Sequence, residues 1–175
     1  MKQTCSLGLA SGFGVLLAVG GGGALAAETG FSAVFGDAPI RGCYRRDYDR
    51  AHLASHPRQR TRSIEIGYRP LPADRMDEHN FPLQLFLFSR FKGERGAPGG
   101  GHEIYCASDG PKVGCSAEGD AGHFTLTPLG NGAIRLDVNE RLTIETDRDF
   151  VQMRASDDRS FVLKRVSASA CTPLE

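Results

Sequence analysis

Between Ser63 and Val166 the apolar residues return at every second position, in one short run after another. Ile64, Ile66 and Tyr68 alternate with Ser63, Glu65, Gly67 and Arg69. Phe124 and Leu126 alternate with Thr125 and Thr127, and Ile134, Leu136 and Val138 with Arg135 and Asp137. Leu142 and Ile144 follow the same rule, and Glu103–Ala107, Phe150–Arg154 and Phe161–Val166 complete the set. A period of two marks strands with one buried face. The separators Gly130-Asn131-Gly132, Asn139-Glu140, Asp147-Arg148 and Ser156-Asp157-Asp158 have hairpin length. The pattern predicts an all-β fold, an antiparallel meander of seven or eight strands. Closure into a small barrel would remove its edges, and a two-sheet sandwich would bury the same faces. The barrel is preferred.

The run Leu83–Phe91 departs from simple alternation. Leu83, Leu85, Leu87 and Phe91 share one side, while Phe86 and Phe88 lie on the other. A strand apolar on both faces needs cover on both. A short helix over Tyr48–Ser55, capped by Asp47 and ended by Pro57, is the nearest candidate for that cover.

The N-terminus carries an export signature. Lys2 starts it, an uncharged stretch from Leu7 to Leu25 centres on Phe13–Val19, and Ala24-Leu25-Ala26 is a small-x-small cleavage site. Repeated glycines dilute the segment too far for a membrane anchor. Residues 1–27 therefore read as a signal peptide cut near Ala26 or Ala27. Residues 28–41 read as a flexible, Gly/Ala-rich lead-in, and 42–175 as one domain, periplasmic or secreted.

Cys5 leaves with the signal, and Cys43, Cys106, Cys115 and Cys171 remain. An even number in an exported chain reads as two disulfides. Of the three possible pairings, the turn sequence Ser108-Asp109-Gly110-Pro111-Lys112 favours Cys106 with Cys115 across a hairpin. Cys43 then joins Cys171, the start of the domain to its end.

Removing Lys2, the signal's only charge, leaves 20 basic and 21 acidic residues, a net charge of −1. That balance gives no bulk affinity for nucleic acid. The charge is uneven. Eight arginines between Arg41 and Arg69 face only Asp47, Asp49 and Glu65, with no lysine among them. Tyr44 and Tyr48 amid Arg45, Arg46 and Arg50 combine the residue types enriched at binding hot spots. They could meet an anionic glycan, a lipid head group or an acidic protein surface. The alternative is a sealing helix whose arginines are simply solvated.

Signs of catalysis are scarce. No Gly-x-Ser-x-Gly, His-Glu-x-x-His or phosphate-cradling glycine loop before a helix is present. With both disulfides formed no thiol remains for nucleophilic work, and no cofactor motif appears. His52 and His56, at i and i+4 with Asp49 one turn earlier, could offer two nitrogens and a carboxylate to a metal. Their alternative role is hydrogen bonding at a barrel end. His79, His102 and His123 are scattered.

The run Cys43-Tyr44-Arg45-Arg46-Asp47-Tyr48-Asp49, continuing through His52-Leu53 and His56-Pro57 to Gln59, resembles the opening motif of a family of small exported proteobacterial proteins. Cys106 and Cys115 extend the likeness, which implies export and disulfides and no particular activity. In layout the chain is also similar to periplasmic inhibitors of lysozyme and of secreted metalloproteases, which are small disulfide-bearing β-barrels. It has no Trp and lacks the Ser/Gly-rich loop of the lysozyme inhibitors. The reading that results is a non-enzymatic exported β-barrel that binds a ligand or an envelope protein. The alternatives are a hydrolase inhibitor acting through a loop such as Gly93–Gly101, and a metal-binding protein or metal-dependent enzyme.

Overall fold

The computed structural model describes residues 29–37, 40–72, 75, 82–153 and 157–174. The predicted export signal lies outside them.

Nine strands occur among the described residues: β1 (Gly42–Asp47), β2 (Thr61–Pro70), β3 (Leu83–Phe91), β4 (Gly99–Asp109), β5 (Lys112–Ala117), β6 (Gly122–Gly130), β7 (Ala133–Glu145), β8 (Phe150–Gln152) and β9 (Ser160–Val166). Two short helices join them, α1 (Gly30–Phe35) and α2 (Arg50–Ser55). All pairings are antiparallel. Strands β1 to β7 pair in sequence, and β9 inserts between β7 and β1, so eight strands close into a barrel. Strand β8 stands outside the ring on the far half of β7. The meander expected from the alternation is thus a closed barrel, and closure removes the edges a sandwich would leave exposed.

The inward residues fill the interior. Ile64, Ile66, Leu85, Phe124, Leu126, Leu136 and Leu163 are all fully buried, as expected of an eight-stranded ring. Both predicted disulfides are formed. Cys106 and Cys115 sit directly opposite each other on β4 and β5, and their bridge lies within the core. Cys43 alternates to the outer face, where it holds Cys171 of the C-terminal tail.

Four expectations change. First, part of the segment expected as a lead-in is helical: Thr29 caps α1 by accepting from Ser32 N, and Val34 and Phe35 are buried. Phe31, Val34 and Phe35 form an i, i+3, i+4 stripe, and the barrel end gives that stripe something to cover. Gly30 N donates to Gly110 O, and the Tyr44 hydroxyl donates to Val34 O. Second, Cys43–Asp47 is strand, because β2 and β9 hydrogen-bond it from both sides. Asp47 therefore pairs with Arg45, and Asp49 is the residue that caps α2. Third, β7 runs straight through Asn139-Glu140. Asn139, Glu140 and Arg141 lie opposite His123 alone, and this bulge replaces the expected turn. Fourth, Phe86 lies under the Arg69 guanidinium at 5.4 Å and Phe88 packs beside Gly101, so their cover comes from neighbouring strands.

Helix α1 covers the barrel end that carries the β4–β5 turn. At the opposite end the far half of β7, with β8, folds across the opening. Ile144, Val151 and Met153 give this arm a buried underside. On the other side the arm meets the β3–β4 loop, where Gly96 abuts Asp147 and Gly99 lies under Glu145 O. The loop considered for hydrolase inhibition is therefore braced against the arm, and its last three residues belong to β4.

Candidate functional site

The residues singled out between Tyr44 and Arg62 separate into inner and outer groups, because β1 and β2 alternate in and out. Tyr44 turns inward and is buried beneath α1, its ring 6.5 Å from Phe35 and 6.1 Å from Tyr68. Burial, with Tyr68 adding to it and Arg165 opposing it, pushes its phenol up to about 12. It belongs to the core, which removes it from any contact surface. Arg45 turns outward but is occupied: Nε and Nη2 donate to the Asp47 carboxylate at 2.8 Å each, and Nη1 reaches Glu65 at 3.4 Å. The Asp47 hydrogen bond raises its pKa, burial opposing and the charges of Asp47 and Glu65 assisting.

The remaining residues assemble around α2, at the end opposite α1. Asp49 fixes the start of the helix by accepting from His52 N at 2.7 Å. The carbonyls of Leu53 and His56 accept from Lys92 Nζ, 3.2 Å from each, which supplies the cation that a helix C-terminus favours. None of the six helix residues is buried. The helix is held by polar braces rather than by an apolar face.

On this frame four side chains stack in series. The Arg46 guanidinium lies 5.0 Å from the centre of the Tyr48 ring. Tyr48 stacks on His52 at 4.6 Å, and His52 on His56 at 4.2 Å with 14° between the planes. The column is fixed at several points: Tyr48 N donates to Arg62 O, and His52 Nε2 lies 3.0 Å from Gln59 Oε1. Gln59, itself buried, donates to Thr61 O. Burial raises the Tyr48 pKa, with Arg46 pulling the other way and Asp158 assisting.

Arginines surround the column. Arg58 pairs with Asp157 at 3.0 Å, whereas the exposed Arg50, Arg60 and Arg62 make no ion pair among the described residues. Behind them the fully buried Asp158 accepts from Arg60 N and Thr61 N at 2.9 and 3.0 Å. The side chains of Arg50, Arg60 and Arg62 are turned to solvent. Asp158, Gln59 and Lys92 build this site, and nothing in the sequence near α2 marks the two that lie far along the chain.

The three residues considered for metal binding each make a hydrogen bond within the α2 segment. Asp49 caps the helix, His52 faces Gln59, and His56 Nδ1 lies 2.9 Å from His52 O. Among the described residues, the trio whose donor atoms lie within 4.8 Å of one another is Cys43, Glu65 and Cys171, and its two sulfurs are bonded to each other. The arrangement at α2 presents an aromatic column capped by the Arg46 guanidinium, with the exposed Arg50, Arg60 and Arg62 at the same end of the barrel. A guanidinium's planar fork suits carboxylate and phosphate groups.

No family model matches this chain, and neither a curated protein nor a solved structure does. Among the described residues no helix is long and apolar enough to cross a membrane.

Proposed function

We propose that this chain is an exported, non-enzymatic binding protein that uses the α2 end of its barrel to engage an anionic component of the cell envelope. One observation carries the reading: a helix with no buried residue is capped and braced at the end of the barrel where the Arg46–Tyr48–His52–His56 column stands, and the exposed Arg50, Arg60 and Arg62 of that end make no ion pair among the described residues. A helix needed only to seal the barrel would bury an apolar face. The filled interior favours surface contact over carriage of a ligand inside. Two disulfides suit an oxidising compartment.

The test is co-sedimentation of the purified, oxidised chain with peptidoglycan sacculi and, separately, with phosphatidylglycerol vesicles. Binding to one of them should fall steeply with salt and be lost in the Arg50→Ala, Arg60→Ala, Arg62→Ala variant. Wild-type protein that stays in the supernatant with both probes, or a triple variant that binds as well as wild type, would sink the proposal.

A further inference from the structure

The end of the barrel that carries α2 is electrically two-sided. In the ring order β1-β2-β3-β4-β5-β6-β7-β9, the β1–β2 connection lies diametrically across from the β5–β6 turn. Asp47 pairs with Ser63 at the α2 end, and following the register round the ring brings Ala117 and Gly122 to that same end. On the α2 side stand Arg50, Arg60 and Arg62. On the far side stand Glu118, Asp120 and Glu140. Arg141, which stands among them, is already paired with Asp120 at 3.2 Å. Glu118 and Glu140 are exposed and make no ion pair among the described residues.

The acidic side is also concave. A hollow of about 440 Å³ is lined by Glu118, Asp120, Arg141, Thr143, Glu145 and Phe150, and Phe150 leaves 63 % of its surface exposed. An aromatic face beside carboxylates accommodates an arginine, whose stem covers the ring while the guanidinium reaches the acids.

We infer that two copies of this chain pair through this end, each seating the arginines of its α2 side on the acidic hollow of the other. The geometry is self-consistent. A two-fold axis in the plane of contact, at right angles to the line joining the two sides, brings positive onto negative at both places. The β7–β8 arm lies between the two sides, and its exposed Phe150 places apolar surface at the edge of each contact. A barrel end of this size belongs with interfaces that bury under about 1,200 Å², which associate weakly and reversibly. The inference goes beyond the proposed envelope binding and draws on the same arginines, so pairing and partner capture compete.

The experiment is sedimentation velocity of the oxidised full domain across a concentration series, at low ionic strength and again in about 1 M salt, where exposed charges are screened. Wild type should approach twice the monomer mass at low salt and return to monomer at high salt. Two charge-reversed variants complete the test, Arg60→Glu with Arg62→Glu, and Glu118→Lys with Glu140→Lys. Each alone should be monomeric, since like charges then meet. An equimolar mixture should recover the dimer, because both contacts are complementary again, and that recovery shows that both variants are folded. Wild type that remains monomeric throughout, a single variant that still dimerises, or a mixture that stays monomeric would overturn the inference. The Glu118→Lys, Glu140→Lys variant keeps every arginine. If it binds sacculi or vesicles while failing to pair in the mixture, only the pairing has failed.

Discussion

The ring of Tyr68 lies directly against the backbone of Gly42: a Cβ built on Gly42 would fall within the van der Waals envelope of Tyr68 Cζ and Oη. Tyr68 has nowhere to retreat, because Phe35 meets it edge-on at 5.0 Å and Tyr44 stacks beside it at 6.1 Å. Gly42→Ala should therefore destabilise the fold by about 1–3 kcal/mol, the usual range for overpacking. Chemical denaturation measures this directly. Adding Tyr68→Leu should restore part of the loss, whereas independent sites would give additive losses.

Asp158 should be one of the most sensitive polar positions. Its buried carboxylate is the acceptor for two consecutive backbone N–H groups at the start of β2. Asp158→Ala leaves both donors without that acceptor and should cost about 2–5 kcal/mol. Asp158→Asn retains one carbonyl oxygen and should cost distinctly less. Equal losses in the two variants would show that packing, not hydrogen bonding, sets the effect.

Alkaline pH should loosen the α1 end. The Tyr44 phenol moves from 10.0 in the unfolded reference to about 12 in the fold, through burial first and the neighbouring Tyr68 second. A folded pKa above the unfolded one means that the contribution is intact below pH 10 and lost as pH rises through about 12. Burial raises Tyr48 and Tyr68 in the same direction. Tyr44 accounts for about 2–3 kcal/mol of this dependence. Guanidinium melts from neutral pH upward should show the decline. Tyr44→Phe should flatten it, while lowering stability at neutral pH through loss of the bond to Val34 O.

The two disulfides should differ in weight. Cys43–Cys171 closes 128 residues and Cys106–Cys115 closes 9. Loop-closure entropy assigns about 5 kcal/mol to the first and about 3 to the second. Without its bridge the tail keeps, among the described residues, Thr172 N donating to Glu65 at 2.7 Å, Leu174 packed on Gly67, and arginine contacts to its carbonyls. Cys43→Ser with Cys171→Ser should lower the melting temperature more than Cys106→Ala with Cys115→Ala. It should also make the chain beyond Val166 accessible to limited proteolysis.

Much of the fold is legible in the residue order. Ile64/Ile66/Tyr68 and Phe124/Leu126 announce their strands because burial on one face imposes a period of two. Strand β1 announces nothing: Tyr44 is its only large apolar residue, and its conformation comes from ladders to β2 and β9, which are remote in sequence. Asn139-Glu140 has turn composition, yet β7 continues. The bulge against β6 absorbs the extra residues and returns Leu142 and Ile144 to the inner side. Helix α1 was readable in its Phe31, Val34, Phe35 stripe, but six residues carry little weight without the surface they cover.

The candidate site divides along similar lines. The excess of arginine near α2 is plain from composition, and so is the neighbourhood of Tyr48, His52 and His56. Which members face outward is not, because strand parity sends Tyr44 into the core while Arg45 turns to Glu65 and the tail. Local chemistry by itself determined the alternation, the turns at Gly130-Asn131-Gly132 and Asp147-Arg148, and the cysteine pairing, since each depends on residues close in the chain or on simple parity. The move of the helix cap from Asp47 to Asp49 came from the pairing of β1 with β2 and β9. Only the tertiary structure decided the closure through β9 and the reach of Asp158 and Lys92 to α2. It alone placed the arginines opposite the β5–β6 acids. These relations join residues far apart in the chain, and such contacts exist only once the ring has closed and set the distance between them.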